Sequence, residues 1–482
     1  MRLHYLLIFM LLAIPGAIAE GLPELGEAAQ AGFSAGEERR LGESIMREIR
    51  GDSSYYDDAE AVDYINILGS RLVTRGSDTR QDFEFFLIQD NQINAFALPG
   101  GFIGVNTGLI LSAQGESEVA SVMAHEIAHV TQHHIARLIN QQKQSQLMSL
   151  ASLAVAILAA RSNSQVAEAA IAFGQAGVMQ SQLNFTRGNE QEADRIGLQI
   201  LEKSGYDPHA MPTFFERLQR ATRLYEGGAP SYLRTHPLTY ERLADVQNRV
   251  QGLPYRQIPD SLEFQLIRAK FRASFDEPRA ALAFFEESLG ERKFLSEVAS
   301  RYGLVVSLMR TKDYARAKRE LDALRKLGLA SPIIETLTCG LKGAAGETEG
   351  AVACYREALK AYPNYRALIY DYAETLLQTR QPQASLTLIE GRLQTVTEDY
   401  RLYLLQARSY AMLNKQLAQH RAQGEAYARM GNIPAAVEQL QIAVKSGDGD
   451  FYQLSATEAR LRELRRKNDE LRKEAGKGAE KR

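Results

Sequence analysis

The sequence predicts a mainly α chain in two parts: an α+β first half with a small β-sheet, then a solenoid of helical hairpins. Three observations carry that expectation. The β-rich runs are short and confined to residues 83–106. Helical apolar spacing fills most of the remaining chain. From about residue 262 a pattern of small, bulky and small residues recurs near every 34 residues. At 482 residues the chain is too long for one ordinary core, so two domains are expected.

The N-terminus reads as a secretory leader. Arg2 precedes an apolar run from Tyr5 to Ile14, which Pro15 and Gly16 break. Ala17-Ile18-Ala19 then offers a cleavage site before Glu20. The run is too short to span a bilayer, and no Cys follows the site to carry lipid. Export implies an oxidising compartment. With 45% hydrophobic and 24% charged residues the chain has ordinary globular composition, and its net charge of −2 gives no reason to expect a nucleic-acid partner.

After an extended lead over residues 20–36, Leu41, Ile45 and Ile49 put one face on a helix over Glu37–Arg50. Val62, Ile65, Leu68 and Leu72 do the same over Ala59–Val73. Strands are expected at Phe83–Ile88, Asn94–Leu98 and Phe102–Asn106, the last two flanking Pro99-Gly100-Gly101. One long helix is expected over Ser117–Asn140. The run Leu147–Ala160 is nearly uncharged. Its 14 residues fall short of a span, leaving a buried helix, a flap over a cleft or contact with a membrane surface. Helices follow at Gln165–Met179 and Glu190–Ser204, the latter ended by Gly205.

The texture changes at residues 253–262. The recurring triplets are Ala281/Phe285/Ser288, Ala317/Leu321/Leu324, Ala351/Tyr355/Ala358 and Ala436/Leu440/Ala443, with a looser copy from Ala384. Steps of 36, 34 and 33 residues, then one of 52, match the helix–turn–helix period of tetratricopeptide repeats. Such hairpins bury one face only by stacking, which makes a continuous domain with a surface for protein partners. Cys339 and Cys354 lie on the two helices of one repeat. They either close it as a disulfide or stay as buried thiols. The tail Arg460–Arg482 is dense in Lys, Arg and Glu and reads as a solvated helix.

The chemistry centres on His125-Glu126-Ile127-Ala128-His129. On a helix, positions i and i+4 share a face, so both imidazoles reach one ion. Glu126 can lean over that ion and move a water's proton. Zinc suits histidine nitrogen and carboxylate oxygen in four-coordinate geometry, with one position left open for catalysis. A third protein ligand is therefore required. His133 lies roughly 12 Å of helix rise from His125 and does not serve. His133 and His134 are left as surface or supporting residues. A third His six residues after His129 is excluded by Ile135. Glu190 and Asp194 share a helix face and can supply a carboxylate ligand and a carboxylate that holds a ligand His. A solvated acidic helix is the competing reading.

Ala124–Val130 and Glu190-Gln191-Glu192-Ala193-Asp194 resemble the paired HExxH and ExxxD motifs of the zinc peptidase family that includes the CaaX prenyl proteases and the heat-shock protease HtpX. The resemblance implies a gluzincin-type α+β domain, with His125, His129 and Glu190 as ligands of one zinc ion. Glu126 would be the base, and Asp194 a support behind the ligands. Asn94, Ala95, Phe96 and Ala97 resemble the edge strand on which the family pairs substrate backbone. Thr235-His236-Pro237 also falls within the match. His236 either stabilises the oxyanion as imidazolium or fills the open zinc position at rest. Arg195 either pairs with Asp194 or orients substrate.

Leader, peptidase and repeats together are similar to family members of the Gram-negative periplasm. The implied boundaries are 1–19 for the leader, 20–255 for the zinc metalloendopeptidase domain, and 262–482 for the repeats and charged tail. The implied role is cleavage of misfolded or stalled outer-membrane proteins, with the repeats docking on the barrel-assembly machinery. The rival reading is a chaperone or adaptor whose zinc site is gated or quiet.

Overall fold

The computed structural model describes residues 34–76, 81–141, 187–224, 231–255 and 257–480. The expected leader and cleavage site at residues 1–19, the apolar run 147–160 and the helix 165–179 lie outside the described residues.

Helix α1 (Ala35–Gly51) starts at Ser34, which closes a capping box with Glu37. After β1 (Tyr55–Tyr56) comes α2 (Ala59–Gly76). Strands β2 (Glu84–Ile88), β3 (Ala95–Leu98) and β4 (Phe102–Asn106) join β1 in one sheet of order β1-β2-β4-β3. β2 and β4 are parallel, with Phe86 opposite Gly104; β3 runs antiparallel to β4, with Phe96 opposite Gly104. The turn between β3 and β4 needs left-handed backbone at Gly100 and Gly101, with φ of 78° and 86°. Strand β3 is the outermost strand, and its free edge pairs with no described strand.

α3 (Thr107–Ser112) leads to α4 (Glu116–Thr131) and α5 (His134–Gln141). The single helix expected over Ser117–Asn140 is therefore two. His133 adopts φ 52°, which ends one helix and re-aims the next. No Gly or Pro marks this break in the sequence. α6 (Arg187–Lys203) stops before Gly205, φ 80°. α7 (Ala210–Leu224), α8 (Ser231–Thr235) and α9 (Tyr240–Gln251) complete the first half.

The second half is helical throughout. It runs α10 (Leu262–Phe275), α11 (Pro278–Gly290), α12 (Glu297–Arg310), α13 (Tyr314–Arg325), α14 (Pro332–Ala344), α15 (Thr348–Ala361), α16 (Arg366–Gln378) and α17 (Pro382–Leu393). It continues with α18 (Tyr400–Met412), α19 (Gln416–Arg429), α20 (Ile433–Lys445) and α21 (Phe451–Glu480). Every residue of the four firm triplets is buried. The looser copy is off by one: Ala384 is exposed, while Ser385 and Ile389 are buried. The 52-residue step spans two helices, α18 and α19, where the other steps span one. Left-handed residues Lys312, Gly346, Arg380 and Asn414 mark successive hairpin turns at 34-residue spacing. The charged tail is not wholly solvated, because Leu461 and Leu464 pack against Ile433, Val437 and Leu440. Cys339 and Cys354 form a disulfide across α14 and α15.

The two halves share one core. A single cluster of buried apolar side chains runs from Tyr64 and Leu68 through Val119 and Met123 to Phe264 and Phe271. Tyr56 meets Phe271 and Phe275 edge-on. The acidic start of α2 is held by the repeats: Lys270 reaches Asp58 and Glu60 at 2.6 and 2.9 Å, Arg401 reaches Asp57 at 3.0 Å, and Thr336 bonds Glu60. Arg366 pairs with Asp63 at 2.5 Å. Part of the repeat surface expected to be free for partners is thus occupied by this chain's own helix.

The heads of α4 and α10 cap each other. Gly115, the N-cap of α4, has no side chain to offer. Asp260 instead accepts from the Glu116 amide at 2.7 Å, and Glu116 accepts from the Ser261 amide and hydroxyl at 3.0 and 2.8 Å. Orphan donors at two helix starts are satisfied reciprocally.

Phe271→Ala should destabilise the full chain by about 3–5 kcal/mol in urea unfolding. Because Phe271 packs on both halves, the loss should appear in one transition; two separate transitions would contradict a shared core. Reducing the disulfide, which closes a loop with a separation of 15 residues, should lower stability by about 3 kcal/mol. The paired substitutions Cys339→Ser and Cys354→Ser should reproduce that loss in non-reducing buffer.

Candidate metal centre

Helix α4 carries His125, Glu126 and His129 on its inner face, all fully buried. It packs against α6, and Gly197 permits the close approach. A Cβ there would stand 3.1 Å from the His125 amide nitrogen and 3.2 Å from its Cα. This contact brings Glu190 and Asp194, one turn apart on α6, up to the two imidazoles.

Three donors converge. The Nε2 atoms of His125 and His129 are 3.0 Å apart. Glu190 Oε2 is 3.5 Å from His125 Nε2, and its Oε1 is 3.4 Å from His129 Nε2. The edges of a tetrahedron of zinc ligands measure about 3.3 Å for bonds of the usual length, so the spacing fits that ion. His236 brings a fourth group, and the candidate ligand atoms of all four lie within 4.8 Å of one another. His236 Nδ1 is 3.0 Å from Glu190 Oε1, and its Nε2 is 3.5 Å from Glu126 Oε1.

The support behind these donors is also buried. Asp194 Oδ1 lies 3.0 Å from His125 Nδ1. Arg242 donates to both Asp194 oxygens, from Nε at 2.7 Å and from Nη2 at 2.8 Å. Its Nη1 pairs with Glu190 at 2.7 Å and donates to the Pro237 carbonyl. Arg242, not Arg195, is therefore the partner of Asp194. The sequence carried a signal for it: Arg242 lies one and two further turns before Val246 and Val250, on the apolar face of α9. An arginine on such a face needs a buried partner.

Burial pushes against the charge of both carboxylates, yet each stays below its ordinary range. For Glu190 the neighbouring His236, His125 and His129 outweigh burial; for Asp194 the Arg242 and His125 hydrogen bonds do. Glu126 is different. Burial raises it, with His236 and His125 opposing. Both of its oxygens are sealed from solvent and accept no hydrogen bond of normal geometry, although the Ala97 amide lies close enough to favour its charge. Two buried carboxylates, Glu190 and Asp194, thus stay ionised around one guanidinium. A divalent cation between the imidazoles would restore the balance, and the donor set fits one.

The structure brings together every expected member of the centre: His125, Glu126, His129, Glu190, Asp194 and His236. Of the expected edge strand, Ala95, Phe96 and Ala97 lie on β3, while Asn94 precedes it and accepts from the Asn106 amide through its carbonyl. Tyr232 was not anticipated. It stacks on His236 at 4.9 Å, and its amide donates to the Ile93 carbonyl, tying the His236 segment to the approach of β3. Of the two readings the sequence leaves for His134, surface or supporting, the structure shows the supporting one. His134 is buried, with its ring against His129.

Residues 63–250 match the family model described as peptidase family M48. The beta-barrel assembly-enhancing protease of Escherichia coli strain K12 is 32% identical over 448 residues, covering 93% of this chain and 92% of the relative. A putative beta-barrel assembly-enhancing protease of Vibrio cholerae is 38% identical over 307 residues, 63% of each chain. The mitochondrial metalloendopeptidase OMA1 of Schizosaccharomyces pombe is 29% identical over 225 residues, 46% of this chain and 62% of the relative. The chain belongs to peptidase family M48, the family of the beta-barrel assembly-enhancing proteases it resembles along nearly its whole length, and it is a metallopeptidase.

Proposed function

We propose that the chain is an exported zinc endopeptidase of the periplasm that cleaves misfolded or stalled outer-membrane proteins. One zinc ion would be held by His125, His129 and Glu190. The observation that carries this reading is the convergence of those three donors beside Glu126, a buried carboxylate with no hydrogen-bond partner of normal geometry. The periplasm and the outer-membrane substrates rest on the leader read in the sequence and on the name of the Escherichia coli relative.

When bound, zinc would lower the pKa of a water molecule and polarise the scissile carbonyl. Glu126 would take the proton of that water and pass it to the departing amine. Asp194 holds the His125 ring by its other nitrogen, and Arg242 keeps Asp194 ionised and still. The peptide would lie extended along the free edge of β3, its backbone pairing with Ala95 to Ala97. Such pairing reads little side-chain identity, which suits unfolded segments of varied sequence. The domains would divide at residues 255–262 by role, with the repeats taking protein partners such as the barrel-assembly machinery.

His236 lies with the three ligands as a fourth group. Structural zinc sites are closed by four protein donors and catalytic ones keep a position open. His236 would therefore occupy the open position at rest and leave it when substrate arrives.

Purified protein spanning residues 20–482 should carry one zinc per chain and cleave casein, while Glu126→Gln keeps the zinc and loses about 10²–10⁴-fold of the activity. Absence of zinc from both would remove the metal assignment and favour an adaptor built on the repeats. His236→Ala should raise basal casein cleavage. Unchanged or lower cleavage would overturn the gating role.

A further inference from the structure

Each imidazole on α4 has two ring nitrogens, and only one can face an ion. For His125 the other nitrogen is held by Asp194, as above. For His129 the partner comes from the helix break. His133, in its left-handed conformation, turns the chain so that His134 returns beneath His129. The two rings meet nearly edge to face, 4.9 Å apart at 74°, with Nδ1 to Nδ1 at 2.8 Å. His134 Nε2 lies 3.1 Å from Glu192 Oε2 on α6, and Arg137 Nη2 reaches the same oxygen at 3.2 Å.

Hydrogen-bond roles then follow from the far end. A carboxylate paired with a guanidinium accepts, and Glu192 Oε2 stands between Arg137 Nη2 and His134 Nε2. His134 must therefore carry its proton on Nε2, which leaves Nδ1 as an acceptor. The short Nδ1 to Nδ1 contact needs one proton, so it sits on His129 Nδ1. His129 then presents a bare lone pair at Nε2 toward Glu190 and His125. The reverse assignment would aim an N–H at the metal position. Two supports thus serve the two ligands: a direct carboxylate for His125, and a histidine relay ending in a carboxylate for His129. α6 supplies the ends of both, together with Glu190.

We infer that His134 is a positioning residue that fixes the tautomer and ring orientation of His129, with Glu192 as the terminal acceptor of the relay. The inference rests on the zinc reading proposed above. Neither the paired motifs nor the sequence spacing assigns His134 or Glu192 this role.

The test is zinc affinity of the full chain, measured by competition with a chromophoric chelator, with the melting midpoint of the metal-free protein recorded alongside. His134→Phe keeps a ring and removes the acceptor. It should lower zinc affinity about 10- to 100-fold, and His134→Gln, whose amide oxygen can accept from His129, should recover most of the loss. Glu192→Leu acts on a carboxylate at 26% exposure, so it tests the relay even if replacements of the buried ring unfold. It should weaken zinc binding while leaving the metal-free midpoint in place. Unchanged affinity in His134→Phe and Glu192→Leu would overturn the relay, as would equal losses in Phe and Gln variants of His134. If the wild-type chain binds no zinc, the metal centre itself falls, an outcome distinct from loss of the relay alone.

Discussion

Arg242 holds Asp194 through two hydrogen bonds and Glu190 through an ion pair, with all three side chains withdrawn from water. Everything in the centre leans on that arrangement. It fixes Asp194 against His125 and sets the rotamer of Glu190. It also ties α9 to α6 and, through the Pro237 carbonyl, fixes the start of the His236 loop. A buried guanidinium with two carboxylates is costly to assemble and costlier to break, since removing one partner strands a charge. The planar fork reaches several oxygens at once, which a lysine could not do. One side chain from the end of the first half therefore organises donors from three separate segments.

The chemistry was more legible than its scaffold. His125, Glu126 and His129 could be read because a helix face converts a spacing of four residues into a shared ion site. Glu190 and Asp194 could be read only with the family motif beside them, because acidic pairs at that spacing are common on solvated helices. Arg242 was missed although its place on an apolar helix face announced a buried charge. The break at His133 could not be seen, since a non-glycine residue in left-handed backbone leaves no compositional mark. For the same reason the sequence could not choose between the surface and supporting readings of His134: on an unbroken helix it would point away from His129, and only the break turns it beneath that ring.

The repeat half shows the opposite balance. Its period survives in the sequence because each hairpin must present small and bulky residues at fixed places to stack. The one-residue error at Ala384 arose where Ser385 takes the small position and hydrogen-bonds the Ala373 carbonyl and Ser409. What no periodicity reveals is where the inner face goes. Lys270, Thr336, Arg366 and Arg401 are spread over residues 270–401, and they meet only on the acidic start of α2. Long-range charge pairing of this kind is decided by topology, not by local spacing.

The reciprocal caps at Glu116 and Asp260 carry a consequence for how such a protein can be inherited. A recombination point between residues 251 and 262 looks clean in the sequence. In the folded chain it would uncover Phe264, Ile267 and Phe271, all fully buried, and strip the start of α4 of the Asp260 cap on its Glu116 amide. Even beyond the last contacts with α2 the repeats touch the first half, where Gly431 lies against Arg47 of α1. A change at the first hairpin therefore reaches the head of α4 through Asp260 and Ser261.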